Sequence, residues 1–218
     1  MGKDILVLVP HADDEVLMCG GSIAKHIEQG DTVSVVILQS KRDKHTEDQL
    51  NSADSAKSVL NYTNVTFLNI DNVLFSSNFV HVKDSIEKFL MSRCVPDVVY
   101  TVLPSDNHQD HQMLFKVASV VFRMHGPCPV KTIYCGETIS STEQASKYFS
   151  SFNPTVYNVL ADHHINTKIK ALLQYSGEVF DFPHPRSSEG IITFAKMRGM
   201  ECASKYAEAF CCIRDIHT

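Results

Sequence analysis

A histidine and three consecutive acids, His11, Asp13, Asp14 and Glu15, follow an apolar run in "LVLVPHADDEV". Carboxylates this close together resist ionising at the same time. Either they open a helix, where backbone N–H groups and the helix dipole favour negative charge, or something positive sits among them. Capping accounts for one or two acids and leaves His11 without a role. A second cluster, "LPSDNHQDHQ", sets His108 and His111 three apart with Asp106 and Asp110 beside them. Two imidazoles and one carboxylate from these clusters make a zinc-type ligand set with a fourth position open for hydrolysis. A divalent cation also lets neighbouring carboxylates stay ionised. Consecutive helical residues point about 100° apart. One of Asp13 and Asp14 is then free to bind the ion while the other faces the water.

The elements must bring the clusters together. Residues 4–9 read as a strand buried on both faces. An amphipathic helix over 15–29 follows, closed by Gly30. Strands at 32–38, 65–70, 97–102 and 130–135 alternate with helices at 47–60, around 83–92, and at 111–123. This rhythm predicts an α/β fold, a mostly parallel sheet with right-handed crossovers and helices on both faces. Ligands bind such sheets at the carboxyl ends of the strands, and both clusters follow strands. Beyond Gly136 the pattern loosens into a strand at 155–160, a helix at about 164–174, the Pro-rich "FPHPRSSEG", and a closing helix from 188 to about 210. No repeat or low-complexity linker divides the chain, so one domain over 1–218 is expected.

Composition narrows the function classes. The net charge of -5 gives no basic footprint for nucleic acid. No leader pattern opens the chain, and no stretch reaches the roughly 18 apolar residues of a membrane span. Seven cysteines, an odd number without Cys-x-x-Cys spacing, argue against a disulfide framework or a thiolate zinc site. A cytoplasmic protein with no membrane segment is the expectation.

Other residues carry weaker signals. "CGGS" at 19–22 lacks the phosphate-loop glycine pattern and lysine, which rules against a dinucleotide-binding module and points to close helix–sheet packing. Cys19 reads as a small buried residue. Arg186, in a Pro-bracketed loop, is a candidate to meet a hydroxyl-rich or anionic substrate. His184 reads as an exposed loop residue, and His163 and His164 as a solvated helix start. Glu137 either lines the same sheet edge or caps a turn, and residues 206–210 read as packing of the last helix.

"PHADDE" after a first strand and "HQDH" after a later one resemble the LmbE/PIG-L family of zinc-dependent N-deacetylases, with Ala12 in place of the usual proline. "PRSSEG" and "MRGMECASKYAEAF" resemble the family's C-terminal pattern. The resemblance implies a Rossmann-like three-layer sandwich with Zn2+ held by His11, Asp14 and His111. It implies Asp13 as general base and His108 as the group that polarises the substrate carbonyl, as imidazolium, with Asp110 as its orienting neighbour. Glu15 is left for capping or support. The substrate implied is a small N-acetylated amino sugar, and relatives often form homo-oligomers, trimers or hexamers. Hydrolysis of another amide and a non-catalytic carbohydrate-binding relative are the alternatives. The family often carries Arg-x-x-Glu in its second helix; Gln49 and Ser52 stand there, which leaves Arg42 or Lys44 to replace the arginine. Asp106 stands where some members place a mobile tyrosine.

Overall fold

The computed structural model describes residues 2–39, 45–70, 78–146 and 152–217, so Arg42 and Lys44 lie outside the described residues. Seven strands build one sheet: β1 (Asp4–Val9), β2 (Thr32–Gln39), β3 (Asn64–Ile70), β4 (Val98–Val102), β5 (Thr132–Gly136), β6 (Val156–Leu160) and β7 (Tyr206–Asp215). Their order across the sheet is β3-β2-β1-β4-β5-β7-β6. The five strands from β3 to β5 run parallel. β7 is antiparallel to both β5 and β6. Ile5 to Val9 are at most 2% exposed, as a central parallel strand covered on both faces requires. The helices are α1 (Asp14–Glu28), α2 (His45–Leu60), α3 (Phe79–Leu90), α4 (Gln109–Val121), α5 (Asp162–Leu172) and α6 (Ser188–Glu201). α1, α2 and α5 pack together, and α3 packs with α4, giving the three layers of a Rossmann-like sandwich.

This order places the site. The chain leaves β1 toward β2 and β3, then returns to lay β4 on the other side of β1. β1 and β4 therefore flank the point where strand order reverses, and a crevice opens at their carboxyl ends. His11 follows β1 and the second cluster follows β4.

The closing helix expected to reach residue 210 stops at Glu201, and residues 206–210 lie in β7. Gly199 begins the reversal: the Ser204 amide donates to its carbonyl at 2.8 Å, and a Cβ there would meet the Ser204 oxygen at 2.7 Å. Ala203 takes a φ of 55° to complete the turn. The Ala and Glu residues of "YAEAF" favour helix locally. Hydrogen bonding to β5 on one side and β6 on the other overrides that preference.

"CGGS" packs as expected. α1 breaks at Cys19, whose φ of -143° is non-helical. The freed amides of Gly21 and Ser22 donate to the Glu208 carboxylate at 2.9 and 2.7 Å, and Lys168 bonds both Glu208 and the Leu17 carbonyl, at 2.6 and 2.9 Å. A Cβ on Gly21 would meet the Leu160 side chain at 2.5 Å. Glycine is thus what lets α1 approach β6 and β7.

Candidate active site

The crevice holds a cavity of about 260 Å³ lined by His11, Ala12, Asp13, Asp14, Gln39, Gln49, His108, Asp110, His111, Ser141, Glu178 and Arg186. His11, Asp13, Asp14, His108, Asp110, His111 and Arg186, all expected from the sequence, lie on it. Asp14 is 2% exposed, and its Oδ2 lies 3.0 Å from His11 Nδ1 and 3.3 Å from His111 Nε2. The other ring nitrogen of each histidine faces a further carboxylate. His11 Nε2 is 3.0 Å from Asp110 Oδ2, and His111 Nδ1 is 3.4 Å from Asp106 Oδ1. Imidazoles that offer one nitrogen inward and turn the other to a carboxylate are arranged as metal-ligating histidines are, His11 through a hydrogen bond and His111 through an ion-pair distance alone.

The electrostatics point the same way. Burial works against charging His11, yet Asp110 and Asp14 outweigh it and raise its pKa to about 9. Burial likewise opposes charge on His111, and Asp14 and Asp106 carry it up to about 10. Burial would raise the Asp14 pKa, but the two imidazoles hold it well below the usual carboxylate range. A buried anion that draws protons onto two imidazoles is a place for positive charge. The donor set of two nitrogens and one oxygen fits a divalent cation such as zinc.

His108 brings a ring nitrogen within 4.8 Å of those of His11 and His111, so three imidazoles form a competing ligand set. Its hydrogen bond decides against that set. His108 caps α4, and its Nδ1 accepts the Asp110 amide at 3.2 Å. The neutral ring therefore carries its proton on Nε2 and keeps no free lone pair for a metal. This also replaces the expected imidazolium with a neutral N–H donor, since burial, His11 and His111 lower its pKa. The same logic disposes of a second cluster, Glu28 with His163 and His164. His164 Nδ1 accepts the Ala161 amide at 3.1 Å, which turns a protonated Nε2 toward Glu28 at 2.9 Å. His164, expected to be solvated, is buried for this capping role.

Asp13 and Asp14 separate as adjacent residues at a helix start should. Asp13 takes a φ of 113°, in the left-handed region that non-glycine residues avoid at a cost of about 1–3 kcal/mol. Its carbonyl opens α1 by accepting the amides of Val16 and Leu17 at 3.0 and 2.9 Å. Its Oδ2 accepts from Arg186 Nη1 at 2.7 Å. Burial first, and then the Asp14 charge, raise its pKa well above the usual value, against the pull of Arg186. Glu15 does cap: its Oε2 accepts the Asp13 amide at 3.1 Å, while Tyr175 donates to Oε1 at 2.6 Å.

Two expectations change. Asp110 was expected to orient His108, but its carboxylate faces His11 and Gln39, the latter at 2.8 Å, and stands 3.8 Å from His108 Nδ1. Only its backbone amide serves His108, because the first turn of α4 directs that N–H at the capping ring. Glu137 turns away from the cavity and holds Arg198 in a two-point bond, at 2.7 Å each.

Arg186 reaches the cavity with its charge engaged by Asp13 and Glu178, at 2.7 and 2.6 Å. Its loop is fixed by Ser187, whose hydroxyl accepts the Gly190 amide at 2.9 Å. Gly190 itself sits where a Cβ would meet the Pro185 oxygen at 2.2 Å. His184 shapes the loop by accepting the Arg186 amide at 3.1 Å. Gln49 lines the cavity with a neutral amide. Gln39, Ser141 and Glu178 were not anticipated; nothing in their local sequence marks them, since their neighbours are remote in the chain. Asp106 is buried, accepts from the hydroxyls of Ser141 and Thr142 and the amide of His108, and lies 3.4 Å from His111 Nδ1.

The family model described as PIG-L: GlcNAc-PI de-N-acetylase matches residues 6–122, more than half of the chain and both halves of the site. The chain belongs to the PIG-L family. Membership makes it a deacetylase in reaction class. It is 24% identical over 184 residues to YaiS of Escherichia coli (strain K12), described as an uncharacterized deacetylase, covering 79% of this chain and 90% of that protein. The fold matches N,N'-diacetylchitobiose deacetylase from Pyrococcus horikoshii with a TM-score of 0.75 at 19% identity, over 97% of this chain and 84% of that one. It also matches GalB, the 4-carboxy-2-hydroxymuconate hydratase of Pseudomonas putida KT2440, with a TM-score of 0.73 at 18% identity, over 99% and 98%. One fold thus serves unlike reactions, and the metal, the proton carrier and the substrate must be argued from the site. No helix among the described residues is long and apolar enough to cross a membrane.

Proposed function

We propose that this protein is a zinc-dependent hydrolase that removes the acetyl group from a small N-acetylated amino sugar or its conjugate. The observation that carries the reading is Asp14 Oδ2 set between His11 Nδ1 and His111 Nε2, beside a second buried carboxylate in the same cavity. His11, Asp14 and His111 would hold the metal. When bound, the ion supplies Lewis acidity, polarising a carbonyl oxygen and acidifying water at neutral pH.

Asp13 takes the proton as water adds to the acetamide carbon. Its raised pKa suits it to hold that proton and then give it to the amine nitrogen as the C–N bond breaks. Water and amide become acetate and a protonated amine, the second water proton passing from the new carboxyl to the amine, with Asp13 returned to its starting state. Arg186 fixes the Asp13 carboxylate and keeps part of its anionic character. His108, with Nε2 carrying the proton, is the donor for the oxygen that gains charge as the tetrahedral centre forms. The amides of Gln39 and Gln49 and the hydroxyl of Ser141 line the cavity with neutral groups suited to sugar hydroxyls.

Asp13→Ala is the test, with acetate release measured on a panel of N-acetylated sugars and sugar nucleotides. The variant should keep one zinc per chain and lose roughly 10²–10⁴-fold in kcat. Turnover at the wild-type rate would remove Asp13 from the role of base.

A further inference from the structure

We propose that residues 175–186 form a clamp that fixes Asp13 from both sides, with Tyr175 as a positioning residue acting through Glu15. The proposal rests on the reading of Asp13 as the base and adds what holds it in its rare conformation. The segment lies outside residues 6–122, the part matched by the family model.

One jaw grips the backbone. Tyr175 is 3% exposed, and its hydroxyl donates to Oε1 of the fully buried Glu15 at 2.6 Å. The other oxygen of Glu15 accepts the Asp13 amide at 3.1 Å. The Asp13 carbonyl is already committed to Val16 and Leu17. Both ends of this residue are therefore tied while its φ stands at 113°. A buried carboxylate turns so that its donors are satisfied. The Tyr175 hydroxyl is the donor that keeps Oε2 directed at the Asp13 amide.

The other jaw grips the side chain. Arg186 Nη1 donates to Asp13 Oδ2 at 2.7 Å and to Glu178 Oε2 at 2.6 Å, while Arg186 Nε donates to Ser140 Oγ at 2.6 Å. Tyr175, Glu178 and Arg186 belong to one short segment after α5, so a single piece of chain sets both the peptide and the carboxylate of Asp13. Without the tyrosine hydroxyl, the Glu15 carboxylate is free to turn, and Asp13 relaxes toward ordinary φ values. Its carboxylate then leaves the place where Arg186 holds it.

The test combines Tyr175→Phe with Glu15→Gln and Glu15→Ala, each assayed on the sugar the wild type deacetylates. Tyr175→Phe should lower kcat roughly tenfold or more, as misplacement of a catalytic group does. KM should stay within about twofold and zinc content unchanged, because substrate contacts and ligands are intact. In the metal-free protein, the Asp13 amide should exchange with deuterium at least about tenfold faster, read by NMR. Glu15→Gln on its own keeps an oxygen for the Asp13 amide and should leave both readings near the wild type; Glu15→Ala should change both as Tyr175→Phe does. Wild-type kcat in Tyr175→Phe, unchanged exchange at Asp13, or equal behaviour of the Gln and Ala variants overturns the clamp. Should Tyr175→Phe fail to fold, the Gln and Ala pair decides. If the wild type releases no acetate from any sugar, the base assignment falls, and amide exchange alone decides whether the clamp exists.

Discussion

Zinc binding to the metal-free protein should expel about two protons at pH 7.5. The pKa values of His11 and His111, about 9 and about 10, place both imidazoles almost wholly in the charged form at that pH. Asp14 is already ionised and contributes none. A metal needs the inward nitrogen of each ring as a lone pair, so each ring gives up one proton as the ion enters. Affinity should then rise about 100-fold per pH unit between pH 6 and 8, or about 2.7 kcal/mol per unit at about 1.36 kcal/mol per proton. The slope should flatten only above about pH 10, once both rings are neutral before the ion arrives. Calorimetric titration in buffers of different ionisation enthalpy reads the proton count directly. Asp13→Asn should be run alongside, because it removes the other carboxyl that titrates beside the ion. A count near zero at pH 7.5 would show that the rings are neutral in the empty site, and would refute the argument that buried Asp14 draws protons onto them.

The same raised values carry a stability consequence. They exceed the unfolded value of 6.5, so the metal-free fold gains from them fully below pH 6.5 and loses that gain as pH rises through 9 to 10. Thermal unfolding across this range should show the decline, and zinc should abolish it. His108→Ala should keep one zinc and lose roughly 10²–10³-fold in kcat, the scale for removal of one oxyanion donor; loss of the zinc would instead make His108 a ligand. Lys168→Met strands the buried Glu208 carboxylate and should cost about 3–5 kcal/mol by denaturant unfolding. A loss under 1 kcal/mol would mean that the bond bracing the break in α1 contributes little.

How much of this was legible in the sequence depends on how far apart the partners lie in the chain. His11, Asp13 and Asp14 sit within four residues, and His108, Asp110 and His111 within another four, each cluster just past a β-branched run. Strand patterning then brings them to one edge, because parallel strands must end together. β7 is not legible locally, because Ala and Glu in "YAEAF" speak for helix, whereas the strand exists only by virtue of β5 and β6. The tautomers of His108 and His164 were hidden for a similar reason. Each depends on a single backbone N–H aimed at Nδ1, which the residue types alone do not announce.

Hydrophobic period and residue spacing are local properties, and they carry the fold class, the two clusters and the chemistry open to them. Packing alone selects which carboxylate serves which histidine. It sets Asp106 beside His111 and Asp110 on His11, and brings Arg186 and Tyr175 onto Asp13 and Glu15 from more than 150 residues away. Such pairings are fixed by which side chains remain to satisfy a buried charge once the sheet has closed, and that is a property of the packed molecule.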